Sequence, residues 1–312
     1  MYTIQVFLNE PDIQCFTFTG RHKKKLERLC PNAQVRVSHT EDDFLKGLKD
    51  ADIAVSWYFK EEWFHYAPRL HKLVTPAAGL DLLSIDPPEG VKVENSSFHG
   101  PIIAETVVGM ILAHTRRITE AYHLQQTDPW PRGRIGNSAK PLYNSHVAIL
   151  GFGSIGWWVG KLLKAFNVRI TGIKRNIIEE PDYFDAEDKI QTVSELDEII
   201  PEVDHLVLIL PKTKETDNII GKNQLAALPS HAGIYNVGRG NAIDELALYA
   251  ALANGDISAA YLDVFREEPL SGDSPLRTLA NCCIMPHTAA TAPEYLDLFV
   301  EEFAAKQQFT FD

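Results

Sequence analysis

Cysteine is scarce. Cys15, Cys30, Cys282 and Cys283 are the four in 312 residues, and no Cys-x-x-Cys pair occurs. A disulfide scaffold is therefore not expected. Adjacent Cys282 and Cys283 do not have zinc-ligand spacing, so no metal site is expected either. Positive charge is also short: 30 basic against 42 acidic residues leaves a net charge of −12. That balance argues against nucleic acid or an anionic membrane as partner. No apolar run reaches the roughly 20 residues of a membrane span. The N-terminal MYTIQVFLNEPD lacks the basic-then-apolar order of a secretory leader. No solenoid-type repeat is present. A globular protein with reduced thiols, located in the cytoplasm, is the expectation.

What is present is an alternation of short apolar runs with helical patterns. The strand-like runs are Thr3–Leu8, Gln34–Val37, Ile53–Trp57, Lys72–Thr75, His146–Leu150, Arg169–Ile173, His205–Leu210, Gly233–Val237 and Ala259–Val264. Runs apolar on both faces fit a parallel sheet covered on both sides, and β/α alternation predicts an α/β fold. The alternation restarts at His146, after a helical segment, Pro101–Ile118, and a proline- and glycine-rich stretch, Asp128–Pro141, read as loop. That helix is apolar around more than one stripe (Ile102, Ile103, Val107, Val108, Met110, Ile111, Leu112). Such a helix belongs at a domain or subunit boundary.

The strand His146–Leu150 runs straight into Gly151-Phe152-Gly153-Ser154-Ile155-Gly156, and a helical pattern follows. Strand, GxGxxG, helix and strand within about 30 residues is the dinucleotide-binding pattern. Gly151 permits the tight turn, Gly153 the approach of a pyrophosphate, and Gly156 close packing of helix on strand. The helix N-terminus, at Ser154 and Ile155, offers N–H groups to the anion. At the end of the next strand an NAD site usually carries a carboxylate. Here Lys174 and Arg175 stand there instead. Two cations fit the 2′-phosphate of NADP(H), which makes NADP(H) the expected cofactor, with NAD(H) use left open.

Several motifs follow in order: AAGLD (77–81), IAE (103–105), GFGSIG (151–156), LPKTKET (210–216), NVGRG (236–240), DEL (244–246), LDVFREEPL (262–270) and PHTAAT (286–291). Over residues 50–295 this chain resembles the D-isomer-specific 2-hydroxyacid dehydrogenases, especially the glyoxylate/hydroxypyruvate reductase branch. The resemblance implies two Rossmann-like α/β domains with parallel sheets and an active site in the cleft between them. It also implies three catalytic residues, Arg239, Glu268 and His287, separated by 29 and 19 residues. These residue types suit reduction of a 2-keto acid. Arginine holds and polarises the substrate, and histidine donates the proton near neutral pH. A carboxylate beside it keeps the imidazole charged. By the same resemblance, Ala78 and Gly79 offer main-chain N–H groups to the substrate carboxylate. Asp263 meets the nicotinamide carboxamide, and Leu210, Pro211 and Val237 line the dinucleotide. Trp57, with Tyr58 after it, ends a strand of the first domain, where it would either close over the substrate or pack in the core.

The implied domains are a substrate-binding domain, 1–98 plus 288–312, and a dinucleotide-binding domain, 99–287. The crossings near 97–101 and 286–291 would serve as hinges. The 101–118 helix suits a homodimer contact. The expected function is NADP(H)-dependent reduction of small 2-keto acids, such as glyoxylate or hydroxypyruvate, to D-2-hydroxy acids. Two other readings stay open: a dehydrogenase for a bulkier D-2-hydroxy acid, and a dinucleotide-sensing interaction protein without turnover. Trp157 and Trp158 at the start of the cofactor helix have no assigned role.

Overall fold

The computed structural model describes residues 1–83 and 85–308. The chain divides into two compact units, residues 1–99 with 291–312 and residues 100–290. The expected divisions, 98/99 and 287/288, lie one and three residues from these.

The first unit carries a parallel sheet of five strands, β1 (Tyr2–Phe7), β2 (Ala33–Val37), β3 (Ile53–Ser56), β4 (Lys72–Val74) and β5 (Lys92–Glu94), ordered β2-β1-β3-β4-β5. Its strand order reverses beside β1, and in doubly wound sheets ligands gather at the carboxyl ends flanking such a reversal. Phe7, Phe44, Leu48, Phe59, Trp63 and Leu73 pack together in its core.

The second unit carries seven parallel strands: β6 (His146–Leu150), β7 (Arg169–Lys174), β8 (Lys189–Thr192), β9 (His205–Leu208), β10 (Gly233–Asn236), β11 (Ala259–Leu262) and β12 (Cys282–Ile284). They are ordered β12-β11-β10-β9-β6-β7-β8, with the reversal between β6 and β9. Successive residues of each strand enter opposite cores. Ala148, Leu150, Leu206, Leu208 and Ile234 pack on one face. Val147, Ile149, Val207, Tyr235 and Tyr261 pack on the other. Burial on both faces explains why these strands read as continuous apolar runs.

Three strands escape the apolar-run pattern: β5, β8 and β12. All three are sheet edges. An edge strand has one neighbour and partial burial, so its sequence (KVE, KIQT, CCI) carries little continuous apolar signal. The stretch 128–141 also differs from its expected reading as loop, since Arg132–Ser138 is helical. Pro131 stands at its N-cap, where proline costs no hydrogen bond, and the helix ends after two turns. The long apolar helix runs Gly100–Thr115 and stops at Arg117, which takes a left-handed φ of 56° before a second short helix, Ile118–Leu124.

Candidate active site

The glycine turn sits at the carboxyl end of β6, beside the strand-order reversal. Gly151 has φ +97°, and a Cβ there would lie 2.4 Å from the Ile209 carbonyl oxygen. Only glycine fits that close approach. Its N–H and that of Phe152 donate to the Ile173 carbonyl at 3.0 and 3.1 Å, which ties the turn to the end of β7. Gly153 caps the helix Ser154–Leu163 and faces open space. At Gly156 a Cβ would meet the Gly151 oxygen at 3.0 Å, so the third glycine sets how closely helix and strand approach. Gly238 presses on Leu210, its Cβ position being 2.5 Å from the Leu210 nitrogen. The 209–211 segment is thus wedged between the glycine turn and the Val237–Gly238 turn. These features fit a dinucleotide: a helix N-terminus, a bare glycine facing outward, and a flanking wall from 209–211 and Val237.

Lys174 ends β7 and is half-buried; Arg175 follows and is exposed. The Arg175 guanidinium lies near enough to Glu215 to help lower that carboxyl's pKa, after the hydrogen bonds of Thr213 and of the Glu215 backbone. Glu215 was not picked out in the sequence; its only signal was its place in the LPKTKET motif. Trp157 and Trp158 pack inside this unit. The Trp158 ring sits against Gly100, Tyr183 Oη donates to the Trp157 carbonyl at 2.7 Å, and the Lys161 ammonium lies 4.9 Å from each indole.

Arg239, Asp263, Glu268 and His287 converge at the carboxyl ends of β10, β11 and β12. His287 Nδ1 donates to Glu268 Oε2 at 2.6 Å, and the other Glu268 oxygen accepts the Phe265 N–H at 2.8 Å. The bond to Glu268 raises the His287 pKa above the usual imidazole value, with burial opposing it. Burial works to raise the Glu268 carboxyl. The His287 bond, the Phe265 N–H and the fields of His287 and Arg239 outweigh it and hold the carboxyl below its usual range. Each group thus favours the charged form of the other, and with Nδ1–H committed to Glu268, Nε2 is left to exchange a proton. Arg239 lies close enough for its charge to act on both groups. Its Nη1 donates to the Gly238 carbonyl at 2.8 Å. Asn236, buried at the end of β10, holds this turn: its Nδ2 donates to the Arg239 carbonyl and its Oδ1 accepts the Gly238 N–H.

His287 occupies a left-handed backbone conformation, φ 55°. Asp263 imposes it. The Asp263 carbonyl accepts the His287 N–H at 2.8 Å, and its two carboxylate oxygens accept the N–H groups of Thr288 at 2.7 Å and Ala289 at 2.9 Å. The side chain is 2 % exposed, and burial raises its pKa against those two N–H bonds. The sequence reading gave Asp263 only a cofactor contact. Its hold on the 287–289 turn joins residues 25 apart in the chain and appears only in the fold.

The remaining expected residues lie in the first unit. In the 76–79 turn after β4, the carbonyls of Pro76, Ala77 and Ala78 accept from Tyr295 Oη, the Ser96 N–H and the Asn95 side chain. Among the described residues, the N–H groups of Ala78 and Gly79 meet no protein acceptor. Trp57, just past β3, donates its indole N–H to the Phe16 carbonyl at 3.1 Å and packs against Phe16 and Tyr295.

Residues 108–289 match the family model for the D-isomer specific 2-hydroxyacid dehydrogenase NAD-binding domain. This chain belongs to that family. It is 34 % identical over 268 residues to a D-3-phosphoglycerate dehydrogenase of Methanocaldococcus jannaschii, covering 84 % of this chain and 50 % of that protein. The chain thus spans about half the length of that relative. It is 33 % identical over 245 residues to a glyoxylate/hydroxypyruvate reductase B of Pectobacterium atrosepticum, covering 75 % of this chain and 73 % of that one. Among solved structures, a family protein from Aeromonas salmonicida superposes with a TM-score of 0.80 at 26 % identity, over 99 % of this chain and 96 % of that one. The family is one of nicotinamide-dependent oxidoreductases. Among the described residues, no helix is long and apolar enough to cross a membrane.

Proposed function

We propose that this chain reduces small 2-keto acids, of the size of glyoxylate or hydroxypyruvate, to D-2-hydroxy acids, with NADP(H) preferred over NAD(H). The observation that carries the reading is the 2.6 Å His287–Glu268 pair beside Arg239. The dinucleotide supplies the hydride when bound at the glycine turn. His287, charged through Glu268, gives its Nε2 proton to the oxygen that becomes the hydroxyl. The Arg239 guanidinium binds the substrate anion and polarises its carbonyl. In the first unit, the amides of Ala78 and Gly79 and the Trp57 ring are assigned to the substrate carboxylate and side chain.

NADP(H) preference rests on Lys174 and Arg175 at the end of β7, where no carboxylate stands to accept from the ribose. A homodimer is proposed through the 101–118 region, which the Gly100–Thr115 helix dominates. Ile102, Val108 and Leu112 are only partly buried on it, and Ile118 at the end of this segment is 55 % exposed. A cytoplasmic location is proposed from the four free thiols.

The test is initial-rate oxidation of NADPH and NADH, side by side, with glyoxylate, hydroxypyruvate, pyruvate and a branched 2-keto acid. Faster turnover of the small acids with NADPH is expected. Preference for NADH would overturn the cofactor assignment. Preference for the branched acid would overturn the substrate class.

A further inference from the structure

The second unit has a roomy cavity far from the glycine turn. It lies at the amino ends of β11 and β12, whereas the dinucleotide pattern occupies the carboxyl end of β6 in the same parallel sheet. Its volume is about 540 Å³, within the roughly 300–1,000 Å³ of small-molecule sites. Ser258, Ala259 and Asn281 form one side, and Arg117, Thr119 and His123 the other. We propose that this cavity is a second ligand site, for a small organic anion whose carboxylate or phosphate head binds Arg117.

Three observations carry it. First, Arg117 has no ion-pair partner among the described residues. Its Nε donates to the Ser138 carbonyl at 3.2 Å, and its left-handed backbone turns the chain at the cavity wall. The cavity's carboxylate, Glu120, is taken by Arg134, so in a chain of net charge −12 the Arg117 guanidinium is left to an external anion. Arg134, on the same wall, differs: Glu120 binds it at 2.8 Å. Second, the floor is a built polar group rather than a surface accident. His114, 5 % exposed, bonds Tyr235 Oη at 2.7 Å through Nδ1 and Ser258 Oγ at 3.0 Å through Nε2. Burial, followed by the fields of His205, Arg117, Lys140 and His231, keeps that imidazole neutral, with its pKa down at about 3. With Arg117 and Arg134 against Glu120, the wall carries a net positive charge while His114 stays neutral. Third, Leu124, Ala259 and Tyr261 give the cavity an apolar part, so a ligand with a short carbon body fits better than a bare ion.

Side-chain NMR of the full-length protein tests this, with the histidine rings isotope-labelled and His123 assigned through His123→Gln. Excess dinucleotide fills the glycine-turn site. Inorganic phosphate and malonate are titrated separately, and the arm that saturates says whether the head is phosphate or carboxylate. The expected result is a saturable His123 shift in the wild type, with a midpoint weakened about tenfold or more in Arg117→Gln. The His287 response should be the same in both proteins. No saturable His123 shift with either probe would overturn the proposal, as would an unchanged midpoint in Arg117→Gln. A shift that follows protein concentration and not the probe would also overturn it, because a second copy of the chain would then fill the cavity.

Discussion

Replacing Glu268 by glutamine keeps the shape of the side chain and removes its charge. The carboxylate now holds the His287 Nδ1–H at 2.6 Å and the Phe265 N–H at 2.8 Å. An amide oxygen still accepts one of these, so the turn should survive. What is lost is the charge that favours imidazolium. A charge-assisted bond contributes about 1.5–3 kcal/mol. This pair is partly solvated, with His287 and Glu268 side chains 51 % and 33 % exposed, so screening reduces the figure to about 1–1.5 kcal/mol. That corresponds to about tenfold in the population of the protonated acid above its midpoint. The sign follows from the shifts. His287 is raised in the folded protein, so removing Glu268's charge lowers it. The alkaline limb of kcat/KM for keto-acid reduction should move to lower pH, with kcat/KM down about tenfold on that limb and nearly unchanged at acid pH. The assay is NADPH oxidation from pH 5 to 9 for wild type and Glu268→Gln, with thermal unfolding as a fold control. An alkaline limb that does not move would refute the assignment of Glu268 as the group that charges His287. The pair's stabilising contribution has its own window. It fades as pH rises through the raised His287 value and as pH falls through the lowered Glu268 value.

Gly151→Ala places a Cβ 2.4 Å from the Ile209 oxygen at φ +97°. It should cost about 1–3 kcal/mol in urea unfolding and abolish dinucleotide binding by fluorescence titration; retained binding would refute the close-approach argument. Arg175→Gln should raise the NADPH KM about tenfold or more and leave the NADH KM unchanged, and equal effects on both would refute a 2′-phosphate contact. Asp263→Ala frees the N–H groups of Thr288 and Ala289. It should lower kcat by about a hundredfold or more, measured as NADPH turnover, while unchanged kcat would show that the turn holds itself. His114 and His205 are buried and neutral, with pKa values down at about 3 and about 4. The unfolded chain binds protons that the folded one refuses, so stability should fall as pH drops from 6 to 4.5, on the order of 2 kcal/mol per pH unit. Urea midpoints that stay flat over that range would refute the buried-neutral description.

The residues that make the central strands announce themselves locally. His146–Leu150, His205–Leu208 and Gly233–Asn236 are apolar on consecutive positions because both faces of the sheet are covered, and that burial is written into each run. The glycine turn is equally local, since Gly151's positive φ and Gly156's packing are needs that only glycine meets. Edge strands β5, β8 and β12 carried no such signature, and the Arg132–Ser138 helix was hidden by flanking prolines and glycines. Arg239, Glu268 and His287 were found as motif positions, but their relation is tertiary. The ends of β10, β11 and β12 bring together groups 29 and 19 residues apart, and the pKa shifts follow from a 2.6 Å contact that no local pattern encodes. The hold of Asp263 on the His287 turn and the unpaired Arg117 beside its cavity belong to the same class. Local periodicity determined the central strands and the long helices, because burial of a face acts on neighbouring residues. Which carboxylate meets which imidazole or amide was decided only when the parallel sheet aligned distant loop ends at one edge.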